Sequence, residues 1–129
     1  MAAMMMSLTA QAKTQDVGGR VIDQNGYSVS KVQTAYGIVD IMMHTLERYF
    51  NGSSDNEPAD GFAEALLRSV IKAAKTVMDN PTDYDARAVL MLMSSLSHND
   101  ITSIGKGKML FVHQIEHAVS GVYPEVANG

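Results

Sequence analysis

From Gln33 onward apolar residues return every three or four positions, a spacing that predicts helices separated by turn-forming segments. The first helix is expected from about Gln33 to Phe50, within "QTAYGIVDIMMHTLERYF". On a 3.6-residue wheel Ile38, Ile41, Met42, Leu46 and Tyr49 form its apolar stripe, widened by Val39, Met43 and Phe50. Only a narrow polar strip is left, holding Tyr36, Asp40, His44 and Glu47, so this helix is expected to be buried round most of its circumference. "NGSSDNEPADG" then breaks the chain, because Gly, Ser, Asp, Asn and Pro favour turns.

A second helix is predicted from about Asp60 to Met78, with Phe62, Leu66, Leu67, Val70, Ile71, Ala73, Ala74 and Val77 on one side and Glu64, Arg68, Lys72 and Lys75 on the other. That division suits an outer wall. "DNPTDYDAR" starts the third helix, with Thr82 expected as N-cap and Asp85 at the capping-box position. "AVLMLMSSL" is apolar nearly all round and is expected to be central. A fourth helix is predicted from about Met109 to Val122, with Phe111, Val112, Ile115, Ala118, Val119 and Val122 inward and His113 and His117 opposite. Residues 1–32 read as poorly structured, since Gly18-Gly19 and Asn25-Gly26 are turn signals; Arg20 to Asp23 is a short strand or nothing. No strand alternation of useful length follows Gln33. The fold class is all-α, a helical bundle-like domain over residues 33–129.

Composition narrows the function. A chain of 129 residues is one domain by size, and 46% hydrophobic with 19% charged residues suits a globular protein. A formal charge of −4 argues against nucleic acid or anionic lipid as partner, since both reward clustered Lys and Arg. There is no cysteine, which excludes disulfides and thiolate metal sites and is compatible with a cytoplasmic location. No apolar run is long enough to cross a membrane. "MAAMMMSLTAQAK" has a faint leader-like look around Ala10-Gln11-Ala12, but it lacks a basic start and its apolar part is short. "GKGK" lacks the order of a phosphate-binding loop. His98 reads as a helix-end residue rather than a ligand, and the methionines at 91 and 93 as core filler.

The remaining chemistry lies in two histidine-containing pairs. Side chains four apart on a helix point the same way, so Asp40 and His44 can supply two metal ligands, and a histidine on a facing helix a third. Both pairs lie opposite apolar stripes, where a solvated polar strip also belongs. On spacing alone the metal signal is weak, and the solvated strip is the more common reading of such a short motif. The scarcity of polar surface on the first helix favours a cleft.

"QTAYGIVDIMMHTLERYF", "NPTDYDARAVLMLMSSLSHND" and "HQIEHAVSGVYPEVANG" together resemble the iron-containing alcohol dehydrogenases, in the butanol dehydrogenase and aldehyde reductase branch. The likeness covers about Gln33 to Gly129 and the first part of that family's helical domain. It implies metal ligands at Asp40, His44 and His113, and places His117 beside the nicotinamide as the catalytic and cofactor-side histidine. The metal it implies is Fe²⁺, with Zn²⁺ accepted by the same donor types. It further implies NAD(P)H, supplied only if another chain brings a dinucleotide domain, and a small alcohol or aldehyde substrate. The family's fourth ligand is a histidine where this chain has Asn128, whose neutral amide oxygen is a poorer ligand. The chain also stops ahead of the family's remaining helices, so alone it is expected to be weak or inactive. The other expectation is a non-catalytic helical module whose exposed apolar faces pair with a second copy or a partner chain.

Overall fold

Ser30, in extended backbone, accepts a hydrogen bond from the Gln33 amide at 3.2 Å and starts helix α1 (Lys31–Tyr49), two residues earlier than the periodicity indicates. The computed structural model describes residues 27, 29–51, 56–106 and 110–123. Helix α2 (Glu57–Asp79) is capped by Asn56, whose side chain accepts from Ala59 N at 3.3 Å, with Glu57 and Asp60 facing the positive end of the helix dipole. Helix α3 (Tyr84–His98) is capped by Asp83, which accepts from Ala86 N at 2.9 Å. Thr82 does not cap it; its hydroxyl bonds Asn80 Oδ1 at 3.1 Å. The carboxylate is the better partner for the helix's free amides, and the shift leaves Asp85 in the first turn rather than at a reciprocal box position. A 3₁₀ turn (Ile101–Ser103) and helix α4 (Phe111–Val122) follow.

Among the described residues there is no strand, and the fold is all-α. The segment from Arg20 to Asp23 and the rest of residues 1–26 lie outside the described residues. Helix α2 packs against both α1 and α3, and the core is Ile38 and Ile41 from α1, Leu66, Val70, Ala73 and Val77 from α2, and Ala86 and Leu90 from α3. The buried stripe of α2 is rotated from the expected one: Ala59 and Ala63 are inside, whereas Phe62 and Ile71 are exposed. Small residues at the contact let the helix axes approach, and the larger ones are turned outward.

One expectation about burial fails. Helix α3 is not central; Leu92 is 56% exposed, and its inward side carries Ser94 and Ser97. Helix α1 is covered round most of its circumference, as expected, but Val39 is exposed while Thr45 and Arg48 are buried. The Arg48 guanidinium donates to the Ser97 carbonyl in the last turn of α3 and to Asp100 Oδ1 at 3.3 Å. A polar face is thereby buried because its partners are helix-end carbonyls that need donors. The connection beyond α3 is held by Asn56, whose amide donates to Ile104 O at 2.6 Å, and by Lys106, which donates to Tyr49 O at 3.2 Å and pairs with Asp60. Gly105 has φ +72°, and a Cβ there would run into the Asn56 amide, so the turn requires glycine.

Helix α4 meets the bundle chiefly through α1. Its expected inward stripe is reversed: Phe111, Val112, Ile115, Val119 and Val122 are exposed, and His113 is its buried residue. Among the described residues no helix is long and apolar enough to cross a membrane.

Candidate metal centre

Asp40, His44 and Glu47 follow one another at spacings of four and three along α1 and so share one face of the helix. His113 enters from the first turn of α4, and His98 from the last residue of α3. Asp40 is the meeting point. Its Oδ1 lies 3.6 Å from His44 Nε2 and 3.5 Å from His113 Nε2, and its Oδ2 lies 3.9 Å from His98 Nε2. The His44 ring is flanked by the other two, with centroid separations of 3.8 Å to His98 and 3.7 Å to His113. His44 and His113 are 7% and 6% exposed, so little water reaches the donors.

A hydrogen bond on the outer side of the His113 ring determines which of its nitrogens faces inward. His113 Nδ1 contacts Glu47 Oε2 and is satisfied as the protonated nitrogen, leaving the Nε2 lone pair aimed at Asp40. Glu47 also accepts from the free amides of Val112 and, at 3.4 Å, of His113. One carboxylate from α1 therefore caps α4 and orients its histidine. His44 Nδ1 is buried with no hydrogen-bond partner.

The charges agree with this arrangement. Burial, followed by the neighbouring His98 and His113, pushes the His44 imidazole down to about 3. Burial also lowers His98, against the opposing pull of the Ser94 carbonyl and Asp40. Asp40 is raised by burial despite its histidine neighbours. Burial thus favours the neutral ring at His44 and His98, and the Nε2 atoms of His44 and His113 converge on one oxygen of Asp40. A divalent cation satisfies such a set. Around a four-coordinate ion with bonds near 2.1 Å the donors stand about 3.4 Å apart, close to the two separations at Asp40 Oδ1. One donor atom from each of Asp40, His44 and His113 lies within 4.8 Å of the others.

The structure brings together Asp40, His44 and His113, three of the residues singled out in the sequence. His117 is exposed one turn further along α4 and is not part of this set. Asn128 lies outside the described residues. Two neighbours were not singled out. Glu47 was visible on the polar strip of α1, at three residues beyond His44. His98 carries no local signal, because its approach to Asp40 depends on how α3 packs across α1.

Glu47→Ala tests the orienting contact. Outer partners of metal-bound imidazoles are worth about 10- to 100-fold in metal affinity, and a loss of that order is expected in a chelator competition with Zn²⁺. Unchanged affinity would show that Glu47 only caps α4.

Residues 34–125 match the C-terminal part of the Fe-containing alcohol dehydrogenase family. The chain is 46% identical over 97 residues to NADH-dependent butanol dehydrogenase A of Clostridium acetobutylicum, covering 75% of this chain and 25% of that protein. Butanol dehydrogenase B of the same organism is 43% identical over the same shares. The NADPH-dependent aldehyde reductase YqhD of Escherichia coli is 28% identical, again over 75% of this chain and 25% of the relative. The chain therefore spans about a quarter of the length of the curated relatives it matches.

Proposed function

Given that the chain belongs to the iron-containing alcohol dehydrogenase family through its C-terminal helical part, we propose that it is the metal-holding unit of an oxidoreductase interconverting small alcohols and aldehydes with NAD(P)H. The observation that carries the reading is the convergence of Asp40 Oδ1 with the Nε2 atoms of His44 and His113. These three residues hold Fe²⁺, and their oxygen and imidazole donors accept Zn²⁺ as well. The ion supplies Lewis-acid polarisation of the alcohol or aldehyde oxygen, while hydride exchange belongs to the nicotinamide. Asp40 offsets the charge of the ion, Glu47 keeps the His113 tautomer, and the buried walls around His44 and His113 keep bulk water from the donors. His117, one turn beyond His113 on an exposed face, would serve the nicotinamide that a separate dinucleotide domain would bring. The apolar face of α4 is covered by that domain's chain or by a second copy. The cysteine-free composition suits a cytoplasmic enzyme.

A second reading, a helical module that associates without metal, is favoured by one observation: Phe111, Ile115, Val119 and Val122 leave an apolar face of α4 in solvent. Metal content separates the two. The purified chain, reconstituted anaerobically with Fe²⁺ or aerobically with Zn²⁺, is expected to retain one equivalent after desalting, and His44→Ala and His113→Ala to retain none. A folded wild-type chain that holds no metal would sink the first reading and leave the second.

A further inference from the structure

We propose that His98 is a fourth ligand of this centre, its Nε2 closing the donor set of Asp40, His44 and His113 around a first-row divalent cation. The inference rests on the metal reading above and adds to it a residue from a third helix.

The argument begins on the outer side of the His98 ring. Nδ1 lies 2.9 Å from the Ser94 carbonyl and 2.7 Å from Ser97 Oγ. A carbonyl oxygen only accepts, so Nδ1 is the protonated nitrogen. The Ser97 hydroxyl donates to the same Ser94 carbonyl at 2.8 Å, which leaves its oxygen free to accept from Nδ1 as well. Both contacts therefore select one tautomer, and in a neutral ring that tautomer leaves Nε2 as a bare acceptor. Nε2 nevertheless faces Asp40 Oδ2 at 3.9 Å.

An acceptor held against a carboxylate is repelled unless a proton or a metal cation lies between them, and a cation serves both imidazoles at once. His113 has the same construction: Nδ1 is occupied by Glu47 and Nε2 faces the other oxygen of Asp40 at 3.5 Å. Two helices thus present imidazoles with the outer nitrogen engaged and the inner one bare, on opposite oxygens of one carboxylate. This is the arrangement that fixes metal-bound histidines in general, the outer partner orienting the ring and raising its basicity. The His98 side chain is only 25% exposed, and its ring lies against that of His44. His98 stands outside the set whose donors fall within 4.8 Å of one another, and its 3.9 Å approach is to Oδ2, the oxygen that His44 and His113 do not face. Donors around a four-coordinate ion stand about 3.4 Å apart, so on binding the His98 ring moves toward the set by more than the roughly half ångström that its distance to Asp40 alone would need.

The test uses Co²⁺, whose d–d absorption reports ligand number and type, in the full 129-residue chain. The variants are His98→Leu, His98→Gln and His44→Ala, each checked for helix content by circular dichroism. The wild type is expected to bind one equivalent and His44→Ala none. A direct ligand is worth at least the upper end of the about 10- to 100-fold that an outer partner contributes, so both His98 variants are expected to lose about 100-fold in affinity. Their Co²⁺ spectra are expected to shift toward the weaker, higher-coordinate form as water takes the vacated position. Wild-type affinity and an unchanged spectrum in a folded His98→Gln protein would overturn the role of His98 and leave the three-residue centre intact. An affinity loss with an unchanged spectrum would also overturn it, by making His98 an outer partner. A folded wild-type chain that takes up no Co²⁺ would overturn both readings together.

Discussion

Asp40→Asn is expected to abolish metal binding and, at the same time, to stabilise the metal-free chain. The two effects have one cause. Asp40 is the oxygen donor toward which the Nε2 atoms of His44 and His113 turn, at 3.6 and 3.5 Å, and its charge is what a cation gains there. An amide of the same shape removes the negative charge and offers only a neutral oxygen, so affinity is expected to fall by more than about 100-fold. Without metal the carboxylate is a liability, since burial already disfavours its charged form. The amide's NH₂ gives the bare imidazole nitrogen of His113 a donor. Satisfying a buried acceptor of this kind is worth about 1 kcal/mol, and relief of the desolvated charge adds to it. Urea unfolding in chelator, beside Zn²⁺ titration of the same proteins, reads both quantities. Metal retained near wild-type affinity would remove Asp40 from the centre. A lower urea midpoint in chelator would mean that the imidazoles were donating to Asp40 and that their inward nitrogens carry protons.

The opposition between stability and metal binding also marks how far the sequence could be read. Apolar periodicity located all four helices, with cap chemistry moving only their ends: Ser30 extends α1 by two residues, and Asp83 displaces Thr82. Spacing alone put Asp40 and His44 on one face and left open whether that face was wet. The structure closes it because Arg48 and Glu47 on the same helix bond to backbone groups of α3 and α4. Those are long-range contacts, with sequence separations of 49 and 65, and no local pattern carries them. The same cause misplaced the apolar stripe of α4. A hydrophobic stripe is normally assumed to turn inward, yet Glu47 and the bundle hold the polar side of α4 by its first turn, so His113 is buried and Ile115 is not. His98 ends α3, as its sequence position indicates, and what no local pattern could show is that this end comes within 3.9 Å of Asp40.

Acid is expected to unfold the metal-free chain from the neutral side, beginning near pH 6.5, and His44 is the main source. In the folded state burial and its histidine neighbours lower its pKa to about 3, against an ordinary value of 6.5 when unfolded. Between those values the unfolded state binds the proton and the folded state does not, so stability is full above about pH 6.5 and is lost progressively as pH falls toward 3. At pH 5 the His44 contribution alone amounts to about 2 kcal/mol lost. His98 is shifted in the same direction and adds to the loss. Asp40 acts with the opposite sign: its folded pKa is raised above 3.8, so protonation favours the fold, but only once the pH drops to that raised value. Wherever the two overlap, the Asp40 contribution offsets part of the histidine loss. Urea midpoints in chelator at pH 7.5 and 5.0 are expected to differ in the wild type and to differ less in His44→Phe, which keeps a ring in the slot between His98 and His113 but cannot take a proton. Bound metal excludes protons from the same nitrogens, so Zn²⁺ is expected to extend the stable range downward and to be released in the acid limb. A wild-type midpoint that is flat between the two pH values would mean that His44 is solvated in solution, and a solvated His44 cannot belong to a closed metal centre.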